Sequence, residues 1–323
     1  MRTVYLGTSQ FAVAVLERLA RSPHRPVLVV TRPDRPRGRG RRVASPPVAE
    51  TARALGIELA QPEHVNDPEA RGLVAAARPD VVTICEFGAL LREPLLSAHE
   101  MLNVHPSLLP RWRGAAPVER AIEAGDAVTG VSIMRPTLEM DAGPVCLARA
   151  EPIRPDDDYG SLSRRLAELG GELLVEALDG RPACVEQSSE GVTIAPKIER
   201  EERRLDPEAA SAAALARRVR ALTPHVGAWL ELSAAAPSHR GGERLGVRAA
   251  RALHGAQPEL APGELAAAGE RLLLGCADGV LELLEVQPAG GRPMEAAAWL
   301  RGRGAAAVGV RTAPDAAPTR RSA

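Results

Sequence analysis

The chain has 323 residues, 45% of them hydrophobic and 25% charged, a composition that is typical of folded globular proteins and excludes a disordered chain. The length favours two domains of roughly 100 to 200 residues each. Because 41 basic and 41 acidic side chains cancel, the net charge gives no sign of a polyanionic partner, and only local clusters of charge could indicate one.

Strand-like and helix-like segments alternate over the first half of the chain. A short apolar run at Thr3 to Leu6 predicts a strand, followed by the turn Gly7-Thr8-Ser9 and by apolar residues at helical spacing. Later runs predict strands at residues 26–31, 57–60, 80–86, 101–105, 128–135 and 144–152, and helices at 48–55, 68–77 and 159–178. This alternation predicts an α/β domain with a Rossmann-like, mostly parallel sheet.

The chain turns polar and charged between Ser188 and Arg204, as linkers between domains tend to do. A helical stretch follows at residues 209–222, and then short alternating runs broken by Gly and Pro, which predict a small β barrel or sandwich. We therefore expect a first domain at residues 1–189, a linker at 190–204, a smaller β domain at 205–311 and a disordered tail at 312–323.

The N-terminal sequence carries no secretory signal, since MRTVYLGTSQF enters a strand-like run at once. No apolar run reaches the ~18 residues that a membrane span requires. We expect a cytoplasmic protein that does not contact membranes.

The four cysteines are widely separated and lack the C-x-x-C spacing of zinc sites or redox pairs. We therefore expect Cys85, Cys146, Cys184 and Cys276 to be buried thiols.

The polar residues best suited to catalysis lie in the predicted strand 101–105 and after it. Asn103 and His105 are two positions apart, so their side chains point to the same face. Asp141 comes about one sheet crossover later. An Asn, a His and an Asp could stabilise an oxyanion and move a proton in an acyl transfer. Alternatively, Asn103 could cap a turn and His105 could be a buried histidine with satisfied hydrogen bonds.

The longer segment NVHPSLLPRWRGAAPVERAIEAGDAVTGVSIM decides between these hypotheses, because it closely resembles the catalytic region of the 10-formyltetrahydrofolate-dependent formyltransferases. The resemblance implies that Asn103, His105 and Asp141 are catalytic. It also implies a tetrahydrofolate site formed by Ser107, Leu108, Leu109 and Pro110, with a pterin-side loop that includes Phe87, Gly88, Leu90 and Leu91. Two residues depart from the family pattern, in which a small residue is common in place of Pro106 and a Tyr in place of Phe87.

The resemblance implies direct attack of an acceptor amine on the formyl carbon, without a covalent enzyme intermediate. Asn103 and His105 would hold the oxyanion, while Asp141 would pair with His105 and help to remove the amine proton. The catalytic motif is shared by family members that formylate glycinamide ribonucleotide, amino sugars or methionyl-tRNA, so it leaves the acceptor open.

A basic segment, TRPDRPRGRGRR at residues 31–42, favours methionyl-tRNA as the acceptor. Its prolines and glycines argue against a regular strand or helix and predict a protruding loop. The segment resembles the PDRPxGRG insertion of the family members that act on methionyl-tRNA. The arginines of this segment would then contact the tRNA, namely Arg32, Arg35, Arg37, Arg39, Arg41 and Arg42. A solvated surface loop is the alternative interpretation.

The motifs Gly279-Val280-Leu281 and PAGGRPM at residues 288–294 also resemble those family members, whose C-terminal domain is an OB-like β barrel and binds tRNA. APKI at residues 195–198 resembles their linker region. The resemblance covers residues 1–311 and implies 10-formyltetrahydrofolate as the formyl donor and no metal. It implies methionyl-initiator-tRNA as the acceptor, for use in translation initiation, and tetrahydrofolate as a product. We expect a monomer. A nucleotide-sugar formyltransferase and an inactive RNA-binding relative remain as alternatives.

Overall fold

The computed structural model describes residues 1–37, 42–232, 243–255, 258–303 and 310–311. The chain divides into two compact units. The first comprises Met1–Val118, Asp126–Pro155 and Ser161–Lys197, and the second comprises Glu119–Gly125, Asp156–Gly160 and the chain from Ile198 onward. Within the described ranges, no helix combines the length and hydropathy that crossing a bilayer requires.

The strands and helices predicted between Thr3 and Leu178 are present, and their ends shift by one or two residues. The structure adds short elements that were not predicted, among them a strand at Arg113–Gly114 and a helix at Pro117–Ala124. In chain order the elements are β1 (Thr3–Gly7), α1 (Gln10–Ala20), β2 (Pro26–Val30), β3 (Arg35–Arg37), β4 (Arg42–Ala44), α2 (Pro47–Ala54), β5 (Glu58–Ala60), α3 (Pro68–Ala76), β6 (Val81–Cys85), α4 (Leu95–Ala98), β7 (Met101–His105), β8 (Arg113–Gly114), α5 (Pro117–Ala124), β9 (Val128–Met134), β10 (Val145–Pro152), α6 (Tyr159–Gly180) and β11 (Ile194–Ala195).

A seven-stranded sheet in the order β10-β9-β7-β6-β1-β2-β5 forms the centre of the first unit. The five strands β7, β6, β1, β2 and β5 are parallel to one another. Strand β9 runs antiparallel to both of its neighbours, β7 and β10. Strands β1 and β6 are buried at every position because helices cover both faces of a sheet of this kind. The chain builds outward from β1 in one direction through β2 and in the other through β6, so a crevice for ligands is expected at the carboxyl ends of β1 and β6.

Local sequence sets the start of the first helix. The Ser9 side chain accepts a hydrogen bond from the backbone N–H of Ala12 at 3.1 Å and so caps α1. The buried face of α1 includes Phe11, Val15 and Leu16, which recur at helical spacing.

The basic segment is partly regular, which corrects the expectation of a loop without strands. Strands β3 and β4 pair antiparallel, with Pro36 opposite Val43. A proline can occupy such a two-stranded ribbon because a strand with no further neighbour leaves alternate N–H groups without a ladder partner. Residues 38–41 lie outside the described part of the chain.

The second unit is a smaller antiparallel β unit. Its elements after a 3₁₀ turn at Glu201–Arg203 are α7 (Ala212–Leu222), β12 (Ala228–Leu232), β13 (Glu243–Ala252), β14 (Glu264–Ala268), β15 (Arg271–Gly275), β16 (Val280–Pro288), β17 (Met294–Glu295), α8 (Ala296–Arg303) and β18 (Val310–Arg311). The strand order is β12-β13-β16-β15-β14-β18, and β17 pairs with β16. The predicted fold class, an α/β domain followed by a smaller β domain, is confirmed.

Helix α7 begins three residues later than predicted because Ser211 caps it, accepting a hydrogen bond from Ala214 N–H at 3.2 Å. Its buried face includes Leu215, Val219 and Leu222, which pack in one core with strand residues such as Leu230.

The cysteines differ from the expectation of four buried thiols. Cys85 and Cys276 are buried thiols, but Cys146 and Cys184 form a disulfide. An isolated antiparallel bridge between Val145 and Val185 places these cysteines opposite each other, which a separation of 38 residues along the chain does not reveal.

Candidate active site

Strand β7 carries two of the predicted catalytic residues at its carboxyl end. Asn103 lies beside Ile84 of β6 and opposite Met134 of β9, while His105 lies opposite Ser132. Since side chains alternate along a strand, Asn103 and His105 point to the same face of the sheet.

His105 is almost fully buried, and one of its ring nitrogens is already engaged. Its Nε2 lies 2.9 Å from the carbonyl oxygen of Trp112. A carbonyl can only accept, so Nε2 must donate. Nδ1 is therefore the nitrogen that faces the carboxylate of Asp141, with 3.6 Å between Nδ1 and Oδ2.

The Asp141 side chain is held by a backbone N–H group. Its Oδ2 accepts a hydrogen bond from the backbone N–H of Gly114 at 2.9 Å. Its own backbone is left-handed, with φ of 53°, a conformation that Asp tolerates better than most residues. The side chain is 17% exposed, so the carboxylate that faces His105 remains accessible. The structure thus brings together His105 and Asp141, which are far apart in sequence.

Gly114 must be a glycine at this place. Its φ is 124°, and a Cβ atom would lie 2.6 Å from the carbonyl oxygen of Ala195. The parallel bridge between β8 and β11 produces this close approach. Thr193 adds to it, because its Oγ1 accepts a hydrogen bond from Trp112 N–H at 2.8 Å. The segment that contacts both His105 and Asp141 is therefore fixed by its pairing with residues 193–195.

The Asn103 carboxamide retains hydrogen-bonding capacity. Its Nδ2 contacts the sulfur of Met134 at 3.7 Å, and a thioether is a weak acceptor. Asn103 is half-buried, so a substrate oxygen at the end of β7 could offer Nδ2 a better partner.

The segment after β7 divides into a buried and an accessible part. Ser107 is fully buried and donates its hydroxyl hydrogen to the carbonyl of Arg111 at 2.6 Å. Its own carbonyl accepts from the Ser132 hydroxyl at 2.8 Å. Ser107 thus closes a turn, whereas Leu108, Leu109 and Pro110 are partly exposed. These three residues offer the apolar surface of the segment.

The predicted pterin-side loop follows β6, the strand next to β7. Phe87 and Leu91 are buried in the core of the first unit. Gly88 is exposed with φ of 76°, and Leu90 is 52% exposed. The loop is tied to the end of β1, since the Thr8 hydroxyl donates to the Phe87 carbonyl at 2.7 Å.

The segment between β7 and β8 is braced by Asp126, which sequence reasoning did not single out. Arg111 donates two hydrogen bonds to this carboxylate, at 2.9 and 2.7 Å, and Trp112 Nε1 donates a third at 2.8 Å. The hydrogen bonds to Asp126 raise the pKa of Arg111 above its ordinary value. No local pattern in the sequence indicated this pairing.

The structure describes four of the six arginines that were predicted to contact tRNA. Arg32 is half-buried and Arg35 pairs with Glu63 on an exposed surface. Arg37 and Arg42 lie opposite each other in the β3–β4 hairpin. The two remaining arginines lie outside the described residues, namely Arg39 and Arg41.

The described ranges contain no cluster of three or more His, Cys, Asp or Glu side chains that could hold a metal ion.

Comparisons with known proteins agree with this geometry. A family model described as "Formyl transferase" matches residues 1–178, and one described as "Formyl transferase, C-terminal domain" matches residues 197–304. The methionyl-tRNA formyltransferase of a Nocardioides species is 43% identical over 314 residues, covering 94% of this chain and 95% of that protein. The methionyl-tRNA formyltransferase of Neisseria meningitidis is 39% identical over 311 residues, covering 94% and 97%.

Solved structures share the fold at lower identity. An N-formyltransferase from Helicobacter canadensis, in complex with folinic acid and dTDP-3-aminofucose, superposes with a TM-score of 0.63 at 13% identity, covering 88% of this chain and 98% of that one. HypX from Aquifex aeolicus, in complex with tetrahydrofolic acid, gives a TM-score of 0.61 at 20% identity, covering 93% of this chain and 47% of HypX. The family models and the two relatives at 39% and 43% identity show that this chain belongs to the formyl transferase family, among the methionyl-tRNA formyltransferases.

Proposed function

We propose that this chain transfers the formyl group of 10-formyltetrahydrofolate to the α-amino group of methionyl-initiator-tRNA, giving N-formylmethionyl-tRNA for translation initiation. The observation that carries the proposal is the grouping of Asn103, His105 and Asp141, in which Asp141 Oδ2 lies 3.6 Å from His105 Nδ1. The acceptor follows from the relatives that are 39% and 43% identical over nearly their whole length, which are methionyl-tRNA formyltransferases.

Each of the three residues has one role in the proposed reaction. Asn103 donates its Nδ2–H to the formyl oxygen as negative charge develops there. His105 uses Nδ1, the ring nitrogen that is not bonded to Trp112 and that faces Asp141. In the protonated ring Nδ1 stabilises the same charge and then donates its proton. Asp141 orients His105 and takes up the proton from the attacking amine. No nucleophilic side chain is needed, because the amine attacks the formyl carbon directly. The bond between that carbon and the folate nitrogen then breaks, and the nitrogen takes up a proton as tetrahydrofolate leaves.

The residues present fit a folate co-substrate, which supplies an activated formyl group when it is bound. Leu108, Leu109 and Pro110 provide a partly exposed apolar edge beside β7, and Leu90 provides another after β6. At Gly88, no atom of the described residues other than Gly88 and its two chain neighbours lies within 4 Å of the position of a Cβ, so a flat ring could approach the backbone there. Ser107 contributes by shaping the turn, since its side chain has no exposed surface.

The basic segment is the proposed tRNA contact of the first unit, through Arg32, Arg35, Arg37, Arg39, Arg41 and Arg42. Lysine and arginine side chains bind nucleic acid mainly by neutralising phosphates. Removing Arg37, Arg39 and Arg41 together should therefore weaken tRNA binding and flatten its dependence on salt. Binding with an unchanged salt slope would contradict this role.

A basic concavity on the second unit supports the proposal that this unit also binds tRNA. The concavity has a volume of about 300 Å³ and is lined by Arg200, Arg203, Arg244 and Arg248 together with Trp229. The Arg244 guanidinium lies 4.2 Å from the centre of the Trp229 ring. Arginines combined with an accessible aromatic ring suit an RNA strand, since they offer both charge and a stacking surface.

The hydrogen bonds of two arginines in this concavity leave their positive charge unneutralised. Arg203 donates to the backbone carbonyls of Val226 and Gly227, and Arg248 donates to the Gln287 side chain, so both contact neutral acceptors. Among the hydrogen bonds and ion pairs described for this part of the chain, none joins these two arginines to a carboxylate.

The domain limits of 1–189, 190–204, 205–311 and 312–323, the cytoplasmic location and the monomeric state stay predictions. The proposed activity itself is tested by single-turnover formylation of methionyl-initiator-tRNA by the purified chain with 10-formyltetrahydrofolate, beside the Asn103→Ala and His105→Ala variants. We expect fast transfer by the wild type and a loss of about 100-fold or more in each variant. Absence of transfer by the wild type would refute the proposal.

A further inference from the structure

The side chain of Gln187 connects the two segments that surround the catalytic pair. Its Nε2 lies 2.7 Å from the carbonyl oxygen of Asp141 and 2.8 Å from that of Gly143, and its Oε1 accepts a hydrogen bond from Arg113 Nε at 2.9 Å. The amide has two N–H donors and one carbonyl, so each donor has its own acceptor. Flipping the amide would set oxygen against two carbonyls, which fixes its orientation.

One segment, Trp112 to Gly114, contacts both members of the catalytic pair, and the other segment begins with Asp141 itself. The Trp112 carbonyl accepts from His105, and the Gly114 N–H donates to the Asp141 carboxylate. Arg113 lies between Trp112 and Gly114 in sequence, so its hydrogen bond joins Gln187 to the middle of that segment. On its other side Gln187 is bonded to the backbone of Asp141. One amide therefore sets the spacing between the segment and the Asp141 backbone.

Gln187 is itself firmly placed by its own segment. Val185 exchanges two backbone hydrogen bonds of 2.8 Å with Val145, and the neighbouring Cys184 is bonded to Cys146. The left-handed backbone at Asp141, with φ of 53°, costs free energy of order 1 kcal/mol and needs surrounding contacts to persist. The two hydrogen bonds from Gln187 are such contacts, because they bind the carbonyls of Asp141 and Gly143.

We infer that Gln187 is a positioning residue, which keeps the Asp141 carboxylate facing His105 and thereby supports formyl transfer. This inference rests on the proposed function. Gln187 acts through Asp141 and needs no contact with the substrate. It belongs to neither the catalytic motif nor the segments that resemble the folate site, and nothing in its local sequence separates it from a surface glutamine.

The test is the Gln187→Glu variant, which keeps the size of the side chain and its bond to Arg113 but replaces both donors with acceptors. We expect kcat for methionyl-tRNA to fall about 10- to 100-fold, since small displacements of a catalytic group have effects of this size. The KM values for both substrates should stay within about threefold. Gln187→Asn, which is one methylene too short to reach, should show the same split. Glu186→Gln, an exposed neighbour, is the matched control and should match the wild type.

A second readout separates positioning from a general structural role. In an Asp141→Asn background, Gln187→Glu should cost less than about twofold more, because residues that act as a unit are not additive. Wild-type kcat in both Gln187 variants, or a full additional loss in the Asp141→Asn background, would overturn the inference while leaving the proposed function intact. Absence of formylation by the wild type would overturn both.

Discussion

Replacing Asp141 with Asn tests the chemistry of the site with little change of shape. The amide oxygen of Asn can still accept from Gly114 N–H, and Asn tolerates the left-handed backbone that Asp141 adopts. What disappears is the negative charge 3.6 Å from His105 Nδ1. The variant should therefore fold normally and keep its folate binding.

The distance sets the size of the effect. At an effective dielectric constant of about 20, unit charges 3.6 Å apart interact by about 5 kcal/mol, which is an upper limit. Positioned acid–base groups contribute rate factors of about 10² to 10⁴, or roughly 3 to 5 kcal/mol. We therefore expect kcat to fall by about 10² to 10⁴ with little change in KM for the folate. Rapid-quench formylation at saturating substrates measures this directly, and a kcat within threefold of the wild type would refute the assigned role of Asp141.

Three further predictions concern binding and stability. Arg200→Gln combined with Arg244→Gln should weaken tRNA binding and lower the salt slope by roughly 1 to 2, whereas an unchanged slope would exclude the concavity as an RNA contact. Reduction of the Cys146–Cys184 disulfide should lower the free energy of unfolding by up to about 4 kcal/mol, given their separation of 38 positions along the chain. Denaturant titration with and without a dithiol would show no shift in the unfolding midpoint if the bond does not form. Burial raises the pKa of Cys276 to about 12, so the thiol stays protonated below that pH, and iodoacetamide at pH 8 should leave it unmodified in the folded protein by mass spectrometry.

Much of the fold could be predicted because local sequence patterns determine where many of its helices and strands lie. The predicted strand at residues 101–105 has the same limits in the structure, since its apolar run is bounded by clear breaks. Helix α7 begins later than predicted because its cap, Ser211, is a single residue inside an alanine-rich stretch. The β3–β4 hairpin was missed because proline and glycine were weighed against strand pairing, which depends on contacts that are not local.

Some residues of the site could likewise be predicted from local sequence and others could not. Asn103 and His105 could be paired from strand geometry alone, and the family motif added Asp141. Gln187 could not be predicted, because it is 46 residues from Asp141 and reaches it only through the bridge at Val145.

The arginine concavity is a second case, because Arg200 and Arg244 come from separate elements and meet at one surface only in the folded second unit. Contacts of this kind depend on the folded chain and leave no pattern in a single sequence.

The central claim is the identity of the acceptor, and a side-by-side assay tests it most directly. The purified chain would be offered 10-formyltetrahydrofolate with methionyl-initiator-tRNA, glycinamide ribonucleotide or an amino-sugar nucleotide as the acceptor. We predict rapid formylation of the tRNA and none of the two small acceptors. Formylation of a small acceptor alone would keep the catalytic residues but contradict the proposed roles of the basic segment and the second unit, and no product with any acceptor would identify an inactive relative.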